Sequence, residues 1–203
     1  TLASPATSGE CSYRTPTVNE PMCFEQSVEE LCERVVQWYG VAREQVRVVF
    51  APYRICPLGA HIDHQLGQVT AMALDHGVLL AFAASKTRSV QLRSLDFDGE
   101  VNVPLDNVGV PQTGEWGNYV RGAVRAMQQE FELEQGLVGV TSGRVAEGGL
   151  SSSAAVGVAY LLALQQVNEL QVAPETNIAL VQQIENHYLG LRIGILDQSA
   201  ILL

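Results

Sequence analysis

Over residues 27–40, Val28, Leu31, Cys32, Val35, Val36 and Tyr39 recur at the three- and four-residue spacing of one helix face. Ser27 and Glu30 have the spacing of a capping box, and Gly40 supplies a stop. The apolar pattern then shortens to strand length. Residues 47–51 are β-branched and brief, and 68–75, 77–84, 89–95 and 99–103 read as strands punctuated by Gly, Asp and Ser. Pro52, Pro57, Gly59 and Gly67 predict a loop after the first strand. A helix is expected over 118–131 and a strand over 137–141, with loops at 107–117 and 142–149. Residues 151–170 are rich in Ala and Leu and too long for a strand, so they predict a buried helix. Pro174 opens a last helix to about Leu189, with Ile178, Val181, Ile184 and Tyr188 inward and Gly190 closing it. The order predicts an α+β fold with no internal repeat and no regular βαβ alternation.

Composition narrows the function. The chain has 203 residues, 47% of them apolar, enough for a real core. A net charge of −10 argues against non-specific nucleic-acid binding and against an anionic membrane surface. There is no membrane-length apolar run and no secretory h-region. Cys11, Cys23, Cys32 and Cys56 lack zinc or CxxC spacing and read as reduced thiols, which suits a cytoplasmic protein. Residues 1–24 are rich in Ser, Thr and Pro and are expected to be a disordered leader. The lack of an initiating Met and the apolar 199–203 run suggest a fragment.

So acidic a chain can still bind phosphate through backbone dipoles. Gly148 and Gly149 precede Leu150, Ser151, Ser152, Ser153 and Ala154 at the start of the expected long helix. Glycine allows a sharp turn and a close approach, and a helix N-terminus offers free N–H groups and a positive dipole end. Plain serine capping is the alternative, although one serine is enough for a cap. No Lys follows the second Gly, which excludes a P-loop, and Ser153 stands where a hydrolase elbow needs Gly.

Two carboxylates follow. Glu185 falls on the last helix, and Asp197 sits between Leu196 and an apolar run, where a carboxylate needs a partner or a task. A solvated helix residue and a turn residue are the bland alternatives. Earlier, Arg54, His61, Asp63 and His64 crowd one short stretch. Arg54 could stabilise a transferring phosphoryl group, and His61 and Asp63 could bind hydroxyls. A metal site from His61, Asp63 and His64 is the rival, as is an ordinary surface loop.

These three segments resemble, in order and spacing, those of the GHMP small-molecule kinases, over about residues 29–203. The first is similar to the galactokinase sugar signature, the Gly-Leu-Ser-Ser-Ser-Ala stretch to the family's phosphate loop, and Gly194 to Gln198 to the segment carrying the catalytic Asp. Residues 51–65, 149–163 and 189–203 are closer still to the galacturonokinases of plants.

The resemblance implies an N-terminal domain over 25–203 with the ribosomal protein S5 domain 2-like fold. It also implies that a ferredoxin-like C-terminal domain and the third, Gly-rich motif are missing. The implied reaction transfers phosphate from ATP, with Mg2+, to the anomeric hydroxyl of D-galacturonate. Asp197 would be the base or charge stabiliser, and Arg54 would steady the reacting oxygen and the γ-phosphate. Ala60, His61, Asp63 and Asp197 would contact the sugar. Residues 148–154 would wrap the phosphates, Ser152 and Glu185 would hold Mg2+, and Trp116 would lie near adenine, a plain core Trp being the alternative.

Where galactokinases carry Glu facing the sugar's far end, this chain has Ala60. Like charges about 4 Å apart repel by roughly 4 kcal/mol at an effective dielectric of about 20, so Ala60 would help admit an acid. Arg192 and His61 are the candidates for gripping its carboxylate. A neutral-sugar kinase and a non-catalytic binding module are the competing readings.

Overall fold

The computed structural model describes residues 24–59, 62–65, 67–143 and 150–203, with His64 described by its backbone alone. Ala60, His61, Gly148, Gly149 and all of the expected leader but Phe24 lie outside the described residues.

Helix α1 runs Phe24–Tyr39 and ends as predicted at Gly40, whose φ of +66° suits glycine. Because the helix is already formed at Phe24, Ser27 lies inside it and not at its cap, so the expected capping box does not form. Strand β1 spans Arg47–Leu58 and β2 spans Thr70–Ala84. Both correct the expectation. The prolines of β1 do not end it, and the two short strands expected over 68–84 are one. Register shifts between Pro52 and Arg54 and between Ile55 and Leu58 absorb the prolines while antiparallel pairing with β2 continues.

Strands β3 (Ser89–Ser94), β4 (Glu100–Pro104) and β5 (Leu137–Ser142) complete one sheet in the order β1-β2-β5-β3-β4. All neighbours are antiparallel except β3 and β5. Helix α2 (Asn118–Glu130) leads into β5, and α3 (Ser152–Val167) follows it. Helix α4 (Pro174–Gln183) passes into a π-helical turn, Ile184–Tyr188, where a plain α-helix was expected. Helix α5 (Leu196–Leu202) was not foreseen as a helix.

The sheet separates two apolar layers. Leu31, Cys32 and Val35 of α1 pack on Leu79, Ala81 and Val140. The main core lies on the other side, where α3 is buried nearly all round between the sheet and α2, α4 and α5. Its alanines let neighbouring backbones approach closely, and each fully buried leucine, such as Leu161, contributes about 2 kcal/mol. The buried amides of Gln165 and Asn177 tie α3 to α4, the Gln165 Nε2 donating to Asn177 Oδ1 at 2.6 Å. The fold is the predicted α+β. Among the described residues Cys32 and Cys56 are free thiols, and no helix is long and apolar enough to cross a membrane.

Candidate active site

Three chain segments far apart in sequence meet at Asp197. Strand β1 delivers Arg54, the turn before α3 delivers Ser151, and the first turn of α5 carries Asp197 itself. Arg54 donates from Nε at 2.7 Å and approaches from Nη2 at 2.6 Å, both to Asp197 Oδ1. The Ser151 hydroxyl donates to Oδ2. Both side chains of the ion pair are largely buried, so the carboxylate is held in one orientation by charge-assisted bonds.

The backbone enforces this arrangement. Ser151 adopts φ 56° and ψ 45°, the left-handed region that costs a residue with a Cβ about 1 kcal/mol or more. The Arg54 amide also donates to the Leu150 carbonyl at 3.2 Å, pinning β1 to the approach of α3.

The expected group of three serines has three separate destinations. Ser151 serves Asp197. Ser152, at the first turn of α3, is exposed. Ser153 lies beside Glu185 and Tyr119, where its hydroxyl favours the charged form of each. Of the two residues expected to hold Mg2+, Ser152 is exposed and Glu185 is buried, with Ser153 beside the Glu185 carboxylate. Helix α3 has no side-chain cap, so its first N–H groups keep their capacity for an anion.

Glu185 is not the solvated residue of the bland reading, because it is only 2% exposed. The π-helical turn turns it inward. Its Oε2 is buried without a hydrogen-bond partner among the described residues. Burial pushes the carboxyl up to about 7, the charge of Asp197 adds to this, and the Ser153 hydroxyl opposes it.

Asp63 joins from the short turn Asp63–Gln65, its Oδ2 accepting from the Leu196 amide at 3.1 Å. Gly194 makes that contact possible, since a Cβ there would lie 1.9 Å from Asp63 Oδ2. Sequence reasoning included Gly194 in a motif without this reason. The same motif ends at Gln198, which was given no role of its own but is fully buried and donates from Nε2 to the Gly194 carbonyl at 2.9 Å. The approach to Gly194 is fixed by Asn186, whose Oδ1 accepts from the Ile193 amide at 2.9 Å and whose Nδ2 donates to its carbonyl at 3.0 Å.

On the far side of the α3 N-terminus lies a cavity of about 400 Å³, a size that suits a small-molecule site. Ser152, Ser153, Tyr119, Phe97 and Trp116 are among its lining residues. Phe97 and Trp116 stack with ring centroids 6.4 Å apart, a platform that suits a planar ring. Trp116 also packs on the main core, as the plain reading of it expects. Phe97 and Tyr119 carried no sequence signal, because neither belongs to a motif.

The site thus joins a clamped carboxylate, a buried carboxyl with an open oxygen, a helix N-terminus and an aromatic cavity. Residues 118–203 match the family profile GHMP kinases N terminal domain, and residues 36–84 match the galactokinase galactose-binding signature. The chain is 50% identical to the galacturonokinase of Arabidopsis thaliana over 88% of its own length and 47% of that protein. Its fold is similar to Lactococcus lactis galactokinase complexed with galactose, with TM-score 0.81 and 29% identity over 86% of this chain and 46% of that one. Methanococcus jannaschii mevalonate kinase shares the fold at TM-score 0.69 and 17% identity, over 79% of this chain and 52% of that one. The chain spans about half the length of the relatives it matches. It belongs to the GHMP kinases, on their galactokinase-like side.

Proposed function

We propose that the protein phosphorylates D-galacturonate at its anomeric 1-hydroxyl, with ATP as donor, giving galacturonate 1-phosphate and ADP. The observation that carries the reaction class is the Asp197 carboxylate, clamped by Arg54 and Ser151 beside the N-terminus of α3. The sugar's 1-hydroxyl gives its proton to Asp197, and its oxygen forms the new bond to the γ-phosphorus. The bond to the bridging oxygen breaks, and ADP leaves with that electron pair. Arg54 keeps the carboxylate aimed and places positive charge beside the reacting oxygens. The free N–H groups of α3 receive phosphate oxygens, and the cavity at Phe97 and Trp116 takes the adenine.

Mg2+ fits the residues present. The unpartnered Oε2 of Glu185 is an oxygen ligand that a hard cation would satisfy, with Ser153 beside it. No cluster of three or more His, Cys, Asp and Glu residues occurs among the described residues, consistent with a cation held largely by phosphate and water. When bound, Mg2+ would neutralise phosphate charge.

The identity to a galacturonokinase and the presence of Ala60 support the acid as substrate. The match to the galactose-binding signature favours a neutral sugar as the second reading. Assaying the full-length protein on both sugars with ATP separates them. Galacturonate is expected to be turned over with the higher kcat/KM. Ala60→Glu is expected to shift the ratio toward galactose by roughly 10-fold or more, since it restores a repulsion of roughly a few kcal/mol. A wild-type preference for galactose would refute the acid, and an unchanged ratio in the variant would refute the role of Ala60.

A further inference from the structure

A uronate adds a negative charge to a site that already holds Asp63, Asp197 and Glu185. Arg54 is taken up by Asp197, so a second cation is needed at the sugar end. The segment joining the π-helical turn to α5 walls off Asp63, a residue that the galacturonate reading places at the sugar, since Gly194 packs on the Asp63 carboxylate and Leu196 donates to it. This wall is rigid. The Leu191 amide donates to the Glu185 carbonyl at 2.8 Å, Ile193 is held by Asn186, and Gly194 is held by Gln198.

Arg192 stands between those anchors. Its side chain is exposed, and it has no hydrogen-bond or ion-pair partner among the described residues. Two residues of chain span at most about 7 Å, so its long side chain starts close to the wall at Gly194 and Asp63. A guanidinium is also the group best shaped for a planar carboxylate.

We propose that Arg192 is the specificity-determining residue that receives the carboxylate of the sugar acid. This rests on the galacturonate reading above. The arginine waits unpaired on a fixed backbone, so substrate binding does not require an internal ion pair to break first. The neutral carboxamide of the same sugar has the same shape and lacks the charge, so Arg192 should distinguish the two.

The test uses full-length wild type, Arg192→Gln and Arg192→Lys with galacturonate and galacturonamide, with thermal unfolding to monitor the fold. The Gln variant is expected to lose roughly 10- to 100-fold in kcat/KM on the acid, mostly through KM, while the amide changes by less than about threefold. The Lys variant is expected to keep part of the preference for the acid. Equal losses on acid and amide, or an unchanged ratio in the Gln variant, would overturn the assignment. A wild type that phosphorylates galactose and not galacturonate overturns the substrate reading and this inference together. An acid-selective wild type whose variants keep that selectivity overturns this inference alone.

Discussion

Asp197→Asn is expected to lower kcat by roughly 10³- to 10⁴-fold in the full-length protein, while KM for both substrates stays within a few-fold. Asparagine keeps the shape and can still accept from Ser151, but it cannot take the hydroxyl proton. It also leaves the Arg54 guanidinium without its counter-charge. The side chains of this pair are 13% and 24% exposed, so some stability is lost, roughly 1–3 kcal/mol after allowing for solvent. Steady-state kinetics beside a thermal melt distinguishes the two effects, because a folded variant with a collapsed kcat isolates the chemistry. A folded variant that retains wild-type kcat would eliminate Asp197 as the base.

Glu185→Gln should separate stability from activity in the opposite sense. The carboxyl has a folded pKa of about 7 against an ordinary value of 4.5. A carboxyl raised in this way favours the fold only while protonated. Its contribution is intact below the unfolded value and is lost as pH rises through the folded one. Without a divalent cation, the wild-type protein should therefore lose stability between about pH 4.5 and pH 7, by on the order of 3 kcal/mol.

Glutamine keeps the shape of the side chain and never ionises. The variant should melt several degrees higher than wild type at pH 8, at about 2–4 °C per kcal/mol for a chain of this size, and its pH slope in that window should flatten. Phosphoryl transfer should fall by about 10²-fold or more, because a neutral amide is a poor ligand for the cation. Melting curves at pH 5 and pH 8, with and without Mg2+ and nucleotide, test this. A variant that melts lower than wild type at pH 8 and keeps the slope would show that Glu185 carries no buried-charge penalty.

Most of the fold was legible because its signals are local. Apolar spacing located α1, α2 and α3, and β-branched runs located β3, β4 and β5. The errors share a physical cause. The prolines at 52 and 57 read as breakers, yet tertiary pairing with β2 absorbed them as register shifts. Residues 196–202 were too short to show a helical period, so α5 emerged only from packing on α3 and α4.

The site followed the same division. Arg54, Asp63, Ser151, Glu185 and Asp197 were visible as unusual residues in unusual places. Which serine serves which carboxylate was not visible, since it depends on the left-handed turn at Ser151. Tyr119 and Phe97 were silent because an aromatic residue in a helix or loop looks the same whether it fills a core or lines a cavity.

The π-helical turn at Ile184–Tyr188 carries a consequence for how this sequence can change over time. It accommodates one more residue than an α-helical turn of the same reach, and that residue lies between Glu185 and everything that follows. Substitutions within it leave the count intact. A single-residue deletion would restore an α-helical turn and swing downstream side chains by about 100°. Asn186 would then miss Ile193, and the wall carrying Arg192, Gly194 and Asp197 would lose its alignment with Asp63. Lineages descending from this chain should therefore keep the length of 184–196, with changes of identity confined to positions other than Glu185, Asn186, Arg192 and Gly194.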